Sequence, residues 1–262
     1  MSRAGRTRQR EGARLVWYGE TPNEAHWHDH WAKTLSSDRP RGIPDRDELL
    51  GVLREWLPGD GPQLEAGCGA GDYVAALSKS GLPVEGIELS TDLVRLVREH
   101  RPKLAVRGGD VLAIDRPDGH YRAYISIGVI EHRIQGPEPF LTEARRVLHQ
   151  DGVLIVAVPG FGRTRRLRQR IRPGPKPPAG SPFFQYGFSE AELRALVSAA
   201  GFRVTHSRYV GVYRMLSEEL PGFVALTNQR GGSVVRRIAE RVLGSRDGHM
   251  VVVRATPVGA RP

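Results

Sequence analysis

Gln63-Leu64-Glu65-Ala66-Gly67-Cys68-Gly69-Ala70-Gly71-Asp72-Tyr73-Val74-Ala75-Ala76-Leu77 is the stretch on which the reading of the chain turns. A short apolar run ending in an acid meets three glycines at alternate positions and then a helical pattern. That order reads as strand, tight turn and helix start. Glycine permits positive φ and, lacking Cβ, lets a ligand lie against the backbone, while N–H groups at a helix start favour a carboxylate or phosphate. The turn is therefore expected to seat a ligand. A dinucleotide-binding loop would be G-x-G-x-x-G, but counted from Gly67 and Gly69 the third glycine place falls on Asp72, so the pyrophosphate fingerprint fails.

Four further pieces follow in order. Val84-Glu85-Gly86-Ile87-Glu88-Leu89-Ser90 reads as a second strand ending in an acid, where a carboxylate can accept hydrogen bonds from both hydroxyls of a ribose. Val106-Arg107-Gly108-Gly109-Asp110-Val111 comes next, then Tyr124-Ile125-Ser126-Ile127-Gly128-Val129-Ile130-Glu131-His132, a strand with a Glu-His ending. Last, Ala144-Arg145-Arg146-Val147-Leu148-His149-Gln150-Asp151-Gly152-Val153-Leu154-Ile155-Val156 reads as helix end, turn and strand.

Together with the acid-x-G-x-G-x-G spacing, these pieces over residues 63 to 159 resemble class I S-adenosylmethionine (SAM) methyltransferases of the small-molecule type. Arg122 stands where an acid commonly opens the fourth strand, and Gln150-Asp151 replace the usual Pro-Gly. Neither departure falls on a cofactor position. The resemblance implies an α/β fold: a doubly wound, mainly parallel, seven-stranded Rossmann-like sheet with an N-terminal helical lid and a terminal antiparallel strand pair. It implies SAM as cofactor, contacted by Glu65, Gly67, Cys68, Gly69, Gly71, Glu88, Leu89, Asp110, Val111 and Ile127. The ribose would lie on Glu88, the adenine amino group on Asp110 and the adenine ring on the Val111 N–H.

Composition narrows the remaining classes. With 262 residues, 39% hydrophobic content and four Trp, the chain can bury a full core. No apolar run approaches a bilayer span and no apolar segment follows the basic N-terminus, so a cytoplasmic, soluble protein is expected. Cys68 is the single cysteine, which excludes an internal disulfide framework and a multi-cysteine zinc site. The net charge of +10 is localised: residues 1–14 carry +4 and residues 163–176 carry +7, leaving the rest at about −1.

The division expected from these patterns is a disordered basic arm over 1–14, a helical lid over 15–60 and a SAM-binding domain over 61–262. That domain would carry a basic insertion at 160–182 and a helical insertion at 211–247. In the lid, Trp27 and Trp31 share one helix face, and His26 and His30 the neighbouring one. No metal is expected there, since spacing places no third ligand and methyl transfer from a sulfonium needs none. Leu167 and Ile171 would stripe a basic helical turn. A second basic amphipathic helix is expected over Ser233 to Gly244, and Ser189 with Glu192 forms a capping-box pattern before another helix.

A methyltransferase acting on a hydroxyl must also remove a proton. His132, at the sheet edge where cofactor and acceptor should meet, is the first candidate base; Tyr18, Tyr186 and His28 come from lid segments. The alternative is that Glu131-His132 caps the following helix and orients the cofactor without touching the acceptor. The reading is thus methyl transfer from SAM to a small molecule, most simply at a hydroxyl oxygen. The acceptor is expected to be anionic or lipid-like, with peripheral contact to an anionic membrane as one use of the basic segments. Two alternatives stay open, an RNA methyltransferase and a non-catalytic SAM-binding or membrane-surface module. Nucleic acid is not the expected partner, because the chain has neither a recognisable RNA-binding domain nor an Asn-Pro-Pro-Tyr-like motif.

Overall fold

The computed structural model describes residues 6–19, 21, 23–36 and 42–259. Its centre is a seven-stranded sheet built from β3 (Gln63–Ala66), β4 (Val84–Glu88), β5 (Val106–Gly108), β6 (Tyr121–Ile127), β7 (Leu148–Pro159), β9 (Phe202–Val210) and β10 (Met250–Pro257). The spatial order is β5-β4-β3-β6-β7-β10-β9. Strands β3 to β7 run parallel, and β10 inserts antiparallel between β7 and β9. Such a sheet needs both faces covered, which is why β7 reads as a continuous apolar run from Val153 and is buried from there to its end.

Alternation along the strands feeds two cores. Ile125, Ile155, Ala157 and Val252 face α2 (Glu48–Trp56), α3 (Asp72–Lys79) and α4 (Thr91–His100). Leu64, Tyr124, Leu154, Val156 and Val253 face α5 (Glu138–Val147) and α7 (Glu190–Ala199). Helix starts follow their side-chain caps: Asp47 Oδ1 accepts from Leu50 N–H at 2.8 Å, Ser90 Oγ from Leu93 N–H at 3.2 Å and Ser189 Oγ from Glu192 N–H at 3.3 Å. Only half of the capping box forms at α7, because the Glu192 carboxylate pairs with Arg14 instead.

The basic segments are more ordered than charge alone suggested. Residues 1–5 of the expected arm lie outside the described residues, but Thr7–Glu11 (β1) and Arg14–Tyr18 (β2) form an antiparallel hairpin extended by β8 (Phe183–Gly187). Long-range partners explain the difference: Arg8 makes a paired hydrogen bond to the Glu219 carboxylate, the Arg6 guanidinium lies 3.6 Å from the Phe184 ring centre, and Arg14 pairs with Glu192.

The expected basic insertion folds as α6 (Arg163–Ile171), with Arg165 1% exposed. Its guanidinium meets Glu218 at 2.8 Å and Glu219 at 3.1 Å, both on α8 (Val212–Glu219), and donates to the carbonyls of Gly160 and His249. Helix α6 is inside out in apolar terms: Arg165 and Gln169 are buried while Leu167 and Ile171 face solvent. α9 (Phe223–Thr227) and α10 (Gly232–Leu243) complete the helical insertion, packing Val235, Ala239 and Leu243 onto Met215, Leu216 and Phe223. Among the described residues no helix is long and apolar enough to cross a membrane.

Candidate active site

The glycine turn hangs on the second strand. Gly67 and Cys68 donate to the Ile87 carbonyl at 2.8 and 2.9 Å, Gly69 to Glu88 Oε2 at 3.0 Å, and Gly71 to the Cys68 carbonyl at 2.9 Å. These four amides are therefore used internally, and what the turn offers a ligand is shape. All three glycines have positive φ, +77°, +53° and +74° for Gly67, Gly69 and Gly71, a region that costs an L-residue about 1–2 kcal/mol. A Cβ on Gly67 would stand 2.6 Å from Val129 Cγ2, and one on Gly69 2.5 Å from Trp31 Cε2. Only glycine lets the turn, the lid and the segment after β6 meet this closely.

One cavity of about 560 Å³ takes in Gly67, Glu88, Leu89, Asp110, Val111, Ile127 and His132. Glu88 is anchored twice, Oε2 by Gly69 N–H and Oε1 by Ser90 N–H at 3.0 Å. Each carboxylate oxygen has a second lone pair, so the group is oriented and still able to accept hydroxyls. Asp110, at the exposed rim, accepts from Leu112 N–H at 2.8 Å. A paired acceptor for vicinal hydroxyls, a second carboxylate and a glycine cradle fit an adenosine with an attached amino acid.

Glu65 and Cys68 stand behind the turn and not on the cavity wall. Glu65 is buried and its carboxyl is pushed up to about 8 by burial, opposed by a hydrogen bond from the Val74 N–H in the first turn of α3. It holds helix to turn. Cys68 packs beneath Gly86, and burial raises its thiol well above the ordinary range, the opposite of an activated nucleophile.

Helix α1 (Glu24–Ser36) closes the cavity with the two Trp of its apolar face. Trp31 lies on Gly69, and the Trp27 ring meets His132 edge-on with centroids 4.7 Å apart. The segment after β6 turns at Gly128, φ +71°, into a single 3₁₀ turn, Ile130–His132. The His132 Nδ1–H donates to the Phe184 carbonyl at 2.9 Å, which leaves Nε2 as the lone-pair nitrogen. Burial lowers its pKa to about 4, with the Phe184 hydrogen bond acting the other way. His132 is therefore a neutral base at physiological pH. Nε2 lies 3.8 Å from Oε1 of Glu131, a carboxyl 1% exposed and pushed up to about 8 by burial.

The other candidate bases are elsewhere. The Tyr18 hydroxyl donates to Glu11 at the exposed hairpin, so Tyr18 does not reach the cavity; the strand pairing of β2 carries it away. Tyr186 donates to the Ile134 carbonyl at 2.8 Å, and neither it nor His28 lines the cavity. His26 and His30 pack edge-on against Trp27 and Trp31, respectively. Sequence patterns gave no notice of Arg133, Phe140 or Phe183, all on the wall. Arg133 follows His132 directly, and its guanidinium has no acidic partner among the described residues.

The profile of a methyltransferase-domain family matches residues 64–156, the span from the first cofactor strand into β7. The chain carries a class I SAM-dependent methyltransferase domain. A probable SAM-dependent methyltransferase of Mycolicibacterium smegmatis is 29% identical over 180 residues, covering 69% of this chain and 64% of that protein. One of Mycobacterium tuberculosis is 30% identical over 142 residues, covering 53% and 47%. The chain thus spans about half to two thirds of the length of these relatives. In fold, the chain is similar to the crystal structure of the [4+2]-cyclase SpnF, with TM-score 0.57, 17% identity and coverage of 92% of this chain and 99% of that one.

Proposed function

We propose that the protein transfers a methyl group from SAM to a hydroxyl oxygen of a small-molecule acceptor, with His132 as general base. The observation that carries the reading is the Nε2 lone pair of His132, fixed by the Phe184 carbonyl, on the wall of the cavity that also contains Gly67, Glu88 and Asp110. Glu88 would hold the ribose hydroxyls, Asp110 and Val111 the adenine, and Gly67 would leave room along the turn. SAM bound there supplies an electrophilic methyl carbon on a sulfonium. The chain's own part is orientation and proton removal. Trp27 and Phe184 hold the imidazole plane, water is excluded by the α1 lid, and the hydroxyl proton goes to Nε2. Glu131 Oε1, 3.8 Å away, is a neighbouring polar group that can respond to the charge arriving on the ring by giving up its own proton.

Arg133 supports an acceptor that bears a negative group, and Phe140, Phe183 and Ile134 support one with an apolar body. A lipid-like acceptor presented at an anionic membrane is favoured by a separate observation: α6 and α10 turn Leu167, Ile171, Val234, Ile238 and Val242 outward among arginines. Incubating cell extract with methyl-labelled SAM and identifying the labelled product by mass spectrometry tests the reading. With that acceptor, His132→Ala should lower kcat about 100-fold with SAM affinity unchanged. Normal turnover in the variant would return His132 to a capping role. Arg133→Gln should raise the acceptor KM, and an unchanged KM would remove the anionic group from the proposal.

A further inference from the structure

A second cleft, of about 720 Å³, shares no wall residue with the methyl-transfer cavity. It lies between the first turn of α6, the start of α7, the outer part of β9 and the 3₁₀ turn Gly244–Arg246. Four arginines line it, Arg163, Arg166, Arg194 and Arg246, against one acid, Glu190.

That acid is occupied. Arg194 donates to Ser207 Oγ at 2.9 Å, and the Ser207 hydroxyl in turn donates a hydrogen bond to Glu190 Oε1. Arg163 and Arg246 are exposed and have no acidic partner among the described residues, and the Arg166 Nε reaches only the Gly162 carbonyl, at 3.4 Å. The contrast within one helix is informative: Arg165 and Arg168, on the other side of α6, are both paired with Glu219. Tyr209, 3% exposed, accepts from Glu190 N–H at 3.2 Å, which leaves its own O–H available to the cleft.

The convergence of these cations is built in. Asp247, 1% exposed, accepts from Thr164 N–H at 2.6 Å through Oδ2 and from Gly248 N–H at 3.0 Å through Oδ1. It thereby fastens the turn bearing Arg246 to the first turn of α6, bearing Arg163 and Arg166. Guanidinium groups brought together from separate elements repel one another unless an anion lies between them. A phosphate suits them best, since its oxygens can take bidentate hydrogen bonds from more than one guanidinium.

We propose that this cleft binds a phosphate group, carried either by a soluble metabolite or by a lipid headgroup. The test uses the full chain and inorganic phosphate, titrated by calorimetry at constant ionic strength. Saturable binding is expected, weakened about tenfold or more in the triple variant Arg163→Gln, Arg166→Gln, Arg246→Gln. A charge-matched control, Arg170→Gln, Arg172→Gln, Lys176→Gln, removes three cations from the same segment outside the cleft and should bind as wild type does. All six side chains are exposed, and a thermal melt checks that both variants stay folded. No saturable binding below about 10 mM phosphate, or equal weakening in the control, overturns the proposal. Vesicles of phosphatidylcholine with and without phosphatidic acid then separate the sources. Sedimentation with the phosphatidic acid vesicles that the cleft variant loses, and that inorganic phosphate reverses, supports a headgroup; phosphate binding without vesicle binding supports a soluble phosphate.

Discussion

Replacing Gly69 by alanine separates two demands that the structure makes of the glycine turn. The first is conformational: φ of +53° costs an alanine about 1–2 kcal/mol. The second is contact, because the new Cβ would sit 2.5 Å from Cε2, 2.8 Å from Nε1 and 2.9 Å from Cδ2 of Trp31, so the indole must move by about 1 Å to reach ordinary contact. Gly81→Ala isolates the first, since φ there is +86° and nothing lies within 4 Å of its Cβ. Gly81→Ala should therefore lower Tm by about 2–8 °C and leave SAM affinity alone. Gly69→Ala should lower Tm at least as much and weaken SAM binding about tenfold, because Trp31, which the new Cβ would displace, and Gly67 of the same turn are both walls of the proposed cofactor cavity. Differential scanning fluorimetry and SAM calorimetry on the pair read the two effects. If Gly69→Ala binds SAM as tightly as Gly81→Ala does, the lid contact is no part of the site and the reasoning fails.

Two further outcomes are expected. Arg165→Met strips the buried Glu219 and the half-buried Glu218 of a shared partner and should cost about 3–5 kcal/mol in urea denaturation, whereas exposed Arg170→Gln should stay within about 0.5 kcal/mol; equal midpoints would show that the cluster is not structural. For pH, His132 falls to about 4 on folding from an ordinary 6.5, so between those values the unfolded chain binds the proton first and stability from this group is lost as pH falls. Burial of Glu65 and Glu131, raised to about 8, acts in the opposite sense, its stabilising share being lost as pH rises from about 4.5 through 8. The comparison to make is wild type against His132→Asn, whose stability difference should move by about 3 kcal/mol in favour of the variant from pH 7 to pH 4; a constant difference contradicts a buried neutral imidazole.

The central sheet was legible because its signals are local. A buried strand, a glycine turn and a capped helix each show within a dozen residues, and the order of such units leaves few topologies. That Glu88, Asp110 and His132 share one cavity wall was legible for the same reason, Glu88 ending β4 and the other two following β5 and β6 at the edge where open sheets bind ligands. Strand β1 was not, because Thr7-Arg8-Gln9-Arg10-Glu11 has no apolar alternation; Arg8 is held by Glu219 and the preceding Arg6 by Phe184, both far along the chain. The burial of Arg165 was equally hidden, since its acids lie 53 and 54 residues away and its helix carries its apolar residues on the exposed side. Tyr18 failed as a site residue because a hairpin, not a lid loop, fixes its direction.

The central claim, a proposal, is that SAM lies against the glycine turn with its ribose on Glu88. Calorimetric titration of SAM into wild type and Glu88→Ala, both checked for folding, tests it most directly. The account expects wild type to bind and the variant to lose about 1.5–3 kcal/mol, since hydrogen bonds to a charged group are the stronger kind and this carboxylate also anchors Gly69. Undiminished SAM affinity in a folded Glu88→Ala protein would contradict it.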